Sequence, residues 1–216
     1  EAAIFASPAA RDSAINDLGI PADRTRVVPM GANVMPDDPS TIHAPPDPPT
    51  RDDCQLLIIA ADPVRKRVDL ALEAAQLLRQ RGINATLHVV GPGTDSSNYS
   101  PAAMPHGRLQ LAEPHDRAVH RQLLRDCHLQ LLPSLVSGVG GLPFVVRHAQ
   151  TGIVIDRDFD ASAWADAIES LIEDPHRYQA MSTAALDRAR NELNWDAWGR
   201  SVAGIIQQAI AHPDRD

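Results

Sequence analysis
The sequence predicts an α/β fold, an open and mostly parallel sheet with helices on both faces. Strand-like runs and helical stretches alternate along most of the 216 residues, an order that produces a parallel sheet covered on both sides. Four helical stretches, Arg67–Arg81 and the last three, carry an apolar stripe at helical spacing, and two, Pro8–Leu18 and Arg67–Arg81, stop at a glycine, the usual punctuation of a helix end. Hydrophobic residues make up 44% and aromatics only 4%, so the core must rest on Leu, Ile, Val and Ala.

Taken in order, "AAIFAS" (Ala2–Ser7) reads as a buried strand, Pro8–Leu18 as a helix closed by Gly19, and "RVVPM" (Arg26–Met30) as the next strand. Pro36, Pro39, Pro45, Pro46, Pro48 and Pro49 then crowd one segment, which reads as a linker because proline neither continues a helix nor donates to a sheet. "QLLIIA" (Gln55–Ala60) opens a second unit. Arg67–Arg81 is amphipathic through Val68, Ala71, Leu72, Ala75 and Leu78 and ends at Gly82. "ATLHVVG" (Ala85–Gly91) is a strand, followed by a polar loop to His106. "RLQLA" (Arg108–Ala112) is expected to be a third strand, His115–Arg125 a helix, and "HLQLLP" (His128–Pro133) a fourth strand. A short strand "GIVI" (Gly152–Ile155) and three helices, Ala161–Ile172, Pro175–Arg190 and Trp195–Ala211, complete the chain.

One junction breaks the pattern. The runs Leu129–Pro133 and Leu135–Val136 are separated by Ser134 alone, whereas parallel neighbours need a crossover of about a dozen residues. The crossover rule therefore predicts that residues are missing between Ser134 and Leu135. The opening at Glu1, inside a strand, likewise predicts a preceding portion. The first two strands and one helix are too small to bury their own apolar faces and require further packing.

The net charge of −8 argues against a general nucleic-acid binder, which needs clustered Lys and Arg; the densest basic patch is "VRKR" (Val64–Arg67). Cys54 and Cys127 form no C-x-x-C pair, a pattern that suits a reducing compartment without a disulfide framework. No run is long or apolar enough to span a bilayer, and no signal peptide is visible. His115 and His120 stand five apart on one helix, which does not place them on one face, and no carboxylate pair completes a metal site; both read as surface residues. "GPG" (Gly91–Gly93) ends a strand, but no G-x-G-x-x-G follows, which disfavours a nicotinamide-dependent dehydrogenase.

Several blocks together carry a family resemblance. "RVVPMGANV" resembles "VIPNGVD", and "LLIIAADPVRKRVDLALEAAQLL" resembles "LLFVGRLVPEKGVDLLLEAFALL". "LHVVGPG", "CHLQLLPS", "GVGGLPFVVRHAQTGIVI" and "DPHRYQAMSTAALDRA" follow in the right order. No single block is specific; the ordered set resembles glycosyltransferase family 4, of the GT-B type. The resemblance implies two Rossmann-like domains, most of this chain being the second. Residues 1–34 would be the tail of the N-terminal acceptor-binding domain and 35–52 a Pro-rich interdomain linker. Residues 53–192 would form the C-terminal nucleotide-sugar-binding domain, and 193–216 a helix reaching back to the first domain.

It further implies a retaining, metal-independent transfer of a hexose from a nucleotide-diphosphate sugar to an acceptor hydroxyl, in glycan, glycolipid or polysaccharide biosynthesis. The donor would be a UDP- or GDP-sugar and the acceptor a glycan or lipid-linked group, with no cofactor beyond the sugar nucleotide and no nucleic acid. The implied location is cytoplasmic, with peripheral membrane contact through the first domain. Lys66 stands where the family has the lysine that neutralises the donor diphosphate. A fixed ammonium at a strand-to-helix junction can do this without a metal; a solvated basic turn is the plainer reading of "RKR". Ala61 replaces the partner arginine, for which Arg65 is the nearest substitute. Arg67 stands where the family has glycine.

Gly140 and Gly141 suit either a donor loop beneath a phosphate or sugar, or a plain tight turn. Pro114 and His115 fall in the nucleobase region, and Gly31 near the cleft between domains. Glu113 replaces a usual glycine and Phe144 a usual glutamate. The family's paired glutamates after Ser134 have no counterpart, and the catalytic base would lie in the first domain, so no catalytic residue is assigned. The competing expectation is a non-catalytic nucleotide-sugar-binding module, or a donor subunit lacking its acceptor domain, with Ala61, Glu113 and Phe144 as its evidence.

Overall fold
The computed structural model describes residues 2–31, 46–91, 102–133, 142–155 and 160–211. The chain divides into two compact units: Glu1–Ile42 with Gly138–Val154 and Ser182–Asp216, and His43–Ser137 with Ile155–Met181. The Ser134–Leu135 junction, most of the Pro-rich segment, and Gly140 and Gly141 lie outside the described residues.

In the first unit, β1 (Ala3–Phe5) pairs in parallel with β2 (Thr25–Val27), and α1 (Pro8–Leu18) makes the crossover. Local sequence sets both ends of α1. The Ser7 hydroxyl accepts the Ala10 N–H at 3.3 Å, Pro8 occupies the first turn where its missing N–H is harmless, and Gly19 takes the left-handed cap (φ 68). The expected strand Arg26–Met30 begins one residue earlier and stops at Val27. Val28 donates to Phe5, but Pro29 has no N–H with which to extend the ladder. "GIVI" is not a strand: residues 147–152 close on themselves through Arg147 N–H to Thr151 Oγ1 and Ala149 N–H to the Gly152 carbonyl, both 2.9 Å, leaving one isolated bridge between His148 and Gly152.

The second unit holds a four-stranded parallel sheet in the order β5-β4-β3-β6. β3 (Cys54–Ile59) and β4 (Ala85–Val90) form its six-residue centre, flanked by β5 (Ala103–Pro105) and β6 (Leu129–Leu131). Alternation along the strands divides the core. Leu56, Ile58, Leu87 and Val89 pack with Ala71, Ala75 and Leu78 of α2 (Val68–Gln80) and with Ala165, Ile168 and Ile172 of α5 (Ala161–Glu173). Leu57 and Val90 face the other way, against Leu123 and Val119 of α3 (Pro114–Asp126) and the following Cys127. Helices therefore cover both faces, and each fully buried leucine contributes about 1.5–3 kcal/mol relative to exposure.

The expected third strand, Arg108–Ala112, is not one. The edge strand lies earlier, at Ala103–Pro105, inside what reads as a polar loop. Gly107 (φ 69) turns the chain out of the sheet. Gln110 then donates to the Asp116 carboxylate at 2.7 Å and accepts from the Glu113 N–H at 2.8 Å, so 108–113 is spent on the entry to α3. α4 (Leu142–Val145) is a single turn; α6 (Pro175–Asn191) and α7 (Trp195–Ala211) close the described chain.

Candidate functional site at the carboxyl edge of the sheet
From β3 the chain steps outward to β4 and β5 on one side, then returns to β6 on the other. The topological switch therefore lies between β3 and β6, and ligands of open parallel sheets sit outside the carboxyl ends at such a point, where loops part and helix N-termini present free N–H groups. The loops gathered on that edge are 60–67 after β3, Gly91 after β4, 106–113 after β5 and Leu132–Pro133 after β6.

The loop after β3 carries the basic residues. Lys66 N–H bonds to the Asp62 carbonyl at 2.9 Å and Val68 N–H to that of Pro63 at 3.0 Å, so the segment coils tightly into α2. Lys66 is half-buried, and no ion pair engages its ammonium among the described residues. Arg65 is oriented differently: its N–H donates to the Asp62 carboxylate at 3.0 Å and its guanidinium approaches the same carboxylate at 3.8 Å. Arg67 adopts the left-handed conformation (φ 51, ψ 51) at the helix entrance, the geometry that glycine takes without strain.

Pro114 and His115 open α3 on the same edge and are exposed. Gly31 belongs to the other unit, where an added Cβ would stand 2.5 Å from the Trp195 nitrogen and 2.8 Å from the Asn194 carbonyl carbon; it is the contact that seats the start of α7 on the segment after β2. His120 departs from the expected surface position. It is buried with Leu123 on the inner side of α3, because positions 119, 120, 123 and 127 recur on one helical face. Burial lowers its pKa, and its Nδ1 has no hydrogen-bond partner among the described residues.

Three features are not visible in the sequence. Gly91 approaches β3 so closely that a Cβ would fall 2.1 Å from the Ala60 carbonyl oxygen. Arg188 of α6 is buried, donates from Nη2 to the Phe144 carbonyl at 2.7 Å, and lies 6.0 Å from the Phe144 ring centre. Its Nε forms a 3.3 Å ion pair with Glu192 outside hydrogen-bond geometry, and Glu192 also takes Arg147 at 2.7 Å. The third is a polar chain across the α3 face, Asp53–Gln55–His88–His106. The period-two pattern of β3 and β4 puts Gln55 and His88 on one face, but their pairing depends on register. Among the described residues no three His, Cys, Asp or Glu side chains are grouped as metal ligands, and no helix is long and apolar enough to cross a membrane.

Comparison with known proteins agrees with this architecture. A glycosyltransferase from Rickettsia africae superposes with a TM-score of 0.73 at 13% identity, over 97% of this chain and 64% of its own. HepE of Anabaena, in complex with UDP, gives 0.69 at 16% identity, over 96% and 64%. The fold is that of a GT-B glycosyltransferase. The family model for glycosyl transferases group 1 matches residues 130–188. The chain is 32% identical over 84 residues to the D-inositol 3-phosphate glycosyltransferase of Corynebacterium glutamicum, over 39% of this chain and 20% of the relative. Its counterpart from Pseudarthrobacter chlorophenolicus is 36% identical over 83 residues, 38% of this chain and 19% of the relative. The aligned stretch thus spans about a fifth of these curated relatives.

Proposed function
We propose that the chain is the donor-binding part of a retaining, metal-independent glycosyltransferase that takes a hexose from a UDP- or GDP-sugar. Residues 53–192 form its nucleotide-sugar domain, 35–52 a linker, and 1–34 with the helix of 193–216 belong with an acceptor domain. One observation carries the reading: the Lys66 ammonium, unpaired among the described residues, on the loop after the central strand β3, beside the switch point. The leaving diphosphate develops negative charge there, and a fixed cation with helix-end N–H groups stabilises it. Pro114 and His115 take the nucleobase, the Gly140–Gly141 loop the donor, and Arg65 reaches the diphosphate after leaving Asp62. No cofactor is required beyond the sugar nucleotide. Transfer to a glycan or lipid-linked acceptor, within glycan or polysaccharide synthesis at the cytoplasmic side of a membrane, completes the reading. Solved neighbours that hold UDP support a uridine donor.

Calorimetry of Lys66→Ala with a nucleoside and its diphosphate tests it. Diphosphate affinity should fall by about 1.5–3 kcal/mol, the range of a charge-assisted contact, while nucleoside affinity persists. Equal weakening of both ligands, or binding that depends on added Mg²⁺, would sink the assignment.

A second reading, a non-catalytic nucleotide-sugar-binding module, is favoured by Phe144. Its carbonyl is held by Arg188 and its ring lies beside that guanidinium, where the resemblance expects a glutamate. Release of UDP from a UDP-sugar, measured with the acceptor domain present and with and without acceptor glycans, separates the two: binding without turnover then selects the module.

A further inference from the structure
The polar chain on the α3 face has a defined proton order. Gln55 Nε2 donates to the Asp53 carboxylate at 2.6 Å, which turns its Oε1 toward His88 Nε2 at 2.9 Å. An amide oxygen only accepts, so His88 carries its proton on Nε2 and leaves Nδ1 as an acceptor. His106 Nε2 lies 2.9 Å from that Nδ1 and must donate to it. The ring centroids are 5.1 Å apart and the planes 19° from parallel. With the nitrogens already 2.9 Å apart, that is two imidazoles edge to edge in nearly one plane, not face to face.

This arrangement accepts one additional proton and refuses a second. The first goes to the outer Nδ1 of His106 and strengthens the existing N–H···N bond. The second can go only to His88 Nδ1, which would set two N–H groups head to head. The other groups facing the pair leave this order intact. Asp126 at the end of α3 favours charge on His88, while burial, and then His106, hold its pKa down; burial also lowers that of His106. His128, at the entrance to β6, is occupied in accepting the Gln55 N–H at 2.9 Å, and its charge partners are Asp53 and Asp47.

We infer that the His88–His106 pair is an acid-released clasp that pins β5, and the 106–113 loop leading into α3, to the centre of the sheet. β5 has three residues. Besides its parallel ladder with β4, its ties include His106 N–H to the Val89 carbonyl, Leu87 N–H to that of Ala102 and Gly91 N–H to that of Gly107. The open state, with two solvated imidazoles, binds one more proton than the closed state. Opening therefore rises by about tenfold for each pH unit below about pH 6. Nucleotide affinity should fall in parallel; that consequence alone rests on the role proposed for Pro114 and His115.

Amide hydrogen exchange of residues 102–113 in the full chain, corrected for intrinsic chemistry, tests the clasp. The wild type should show the tenfold slope. His88→Gln should show a distinctly shallower slope, because only the burial of His106 then opposes its protonation. His106→Asn should keep the slope, because His88 Nδ1 remains the trapped acceptor. Slopes are compared within each protein, so a uniform loss of stability does not imitate the result. Imidazole NMR of the wild type gives a second readout: His106 should titrate while His88 stays neutral. A flat wild type, a His88→Gln slope equal to the wild type, or His88 protonating first overturns the clasp. With the exchange pattern intact, failure of UDP to bind counts against the proposed function and leaves the clasp standing.

Discussion
Arg67 and Gly91 show how single backbone positions hold the edge where the candidate site lies. Arg67 sits in the left-handed region at the entrance to α2, and its guanidinium reaches the exposed carboxylate of Asp69 at 3.0 Å. An exposed pair of that kind contributes little, whereas relief of the left-handed strain favours glycine. Arg67→Gly should therefore raise stability by about 0.5–1 kcal/mol in urea melts; a loss of that size would show the ion pair to dominate. Gly91→Ala should do the reverse. Its methyl would enter the Ala60 carbonyl, which is backbone and cannot rotate aside, so a loss of about 2–4 kcal/mol is expected. Unchanged stability in Gly91→Ala would mean that the two strand ends are not held this closely.

At the scale of elements, helices were legible in the sequence and edges were not. α1 and α7 match their expected ends, and α2 and α5 lie within a residue or so of theirs, because capping and apolar spacing are local signals. Asp160 illustrates the cap: its carboxylate accepts the Ala163 N–H at 3.1 Å at the start of α5. Asp160→Ala should cost about 1 kcal/mol in thermal unfolding, and Asp160→Ser should recover most of it; equal loss in both would refute the cap. β5 was illegible because a three-residue edge strand owes its existence to β4 rather than to its own residues. Arg108–Ala112 looked like a strand because its apolar alternation is real, but Leu109 supports the α3 side of the core and Leu111 is exposed. The location of Lys66, Pro114 and His115 at strand-to-helix junctions was legible for the same reason, their roles being read from the family resemblance, whereas the Gln55–His88–His106 chain and the burial of Arg188 arise between segments distant in sequence.

For the whole molecule, the two cysteines report on integrity. Cys54 and Cys127 are both buried and free. Burial first, then the neighbouring Asp53 and Asp126, pushes each thiol from 9.0 up to about 12. A raised folded pKa contributes stability that is complete below 9.0 and is lost as pH rises toward about 12, since the unfolded thiols ionise first. Native protein should resist an aromatic disulfide reagent at about pH 8 and react at the rate of global opening. Denaturant midpoints should decline above about pH 9, and less steeply in the double variant Cys54→Ala/Cys127→Ala; identical declines would exclude the thiols as the cause.

The sheet of the second unit also tapers. Its central strands have six residues each, and its outer strands, among the described residues, three. An outer strand is a template on which a foreign chain can pair, and its danger grows with its length and regularity. Here one margin ends at Pro105, which offers no N–H, and Gly107 bends the chain away immediately after. Among the described residues, an approaching strand finds no row of donors and acceptors long enough to hold it. The brevity that hid β5 from the sequence thus also makes the described part of that margin a poor template for self-association and fibril growth.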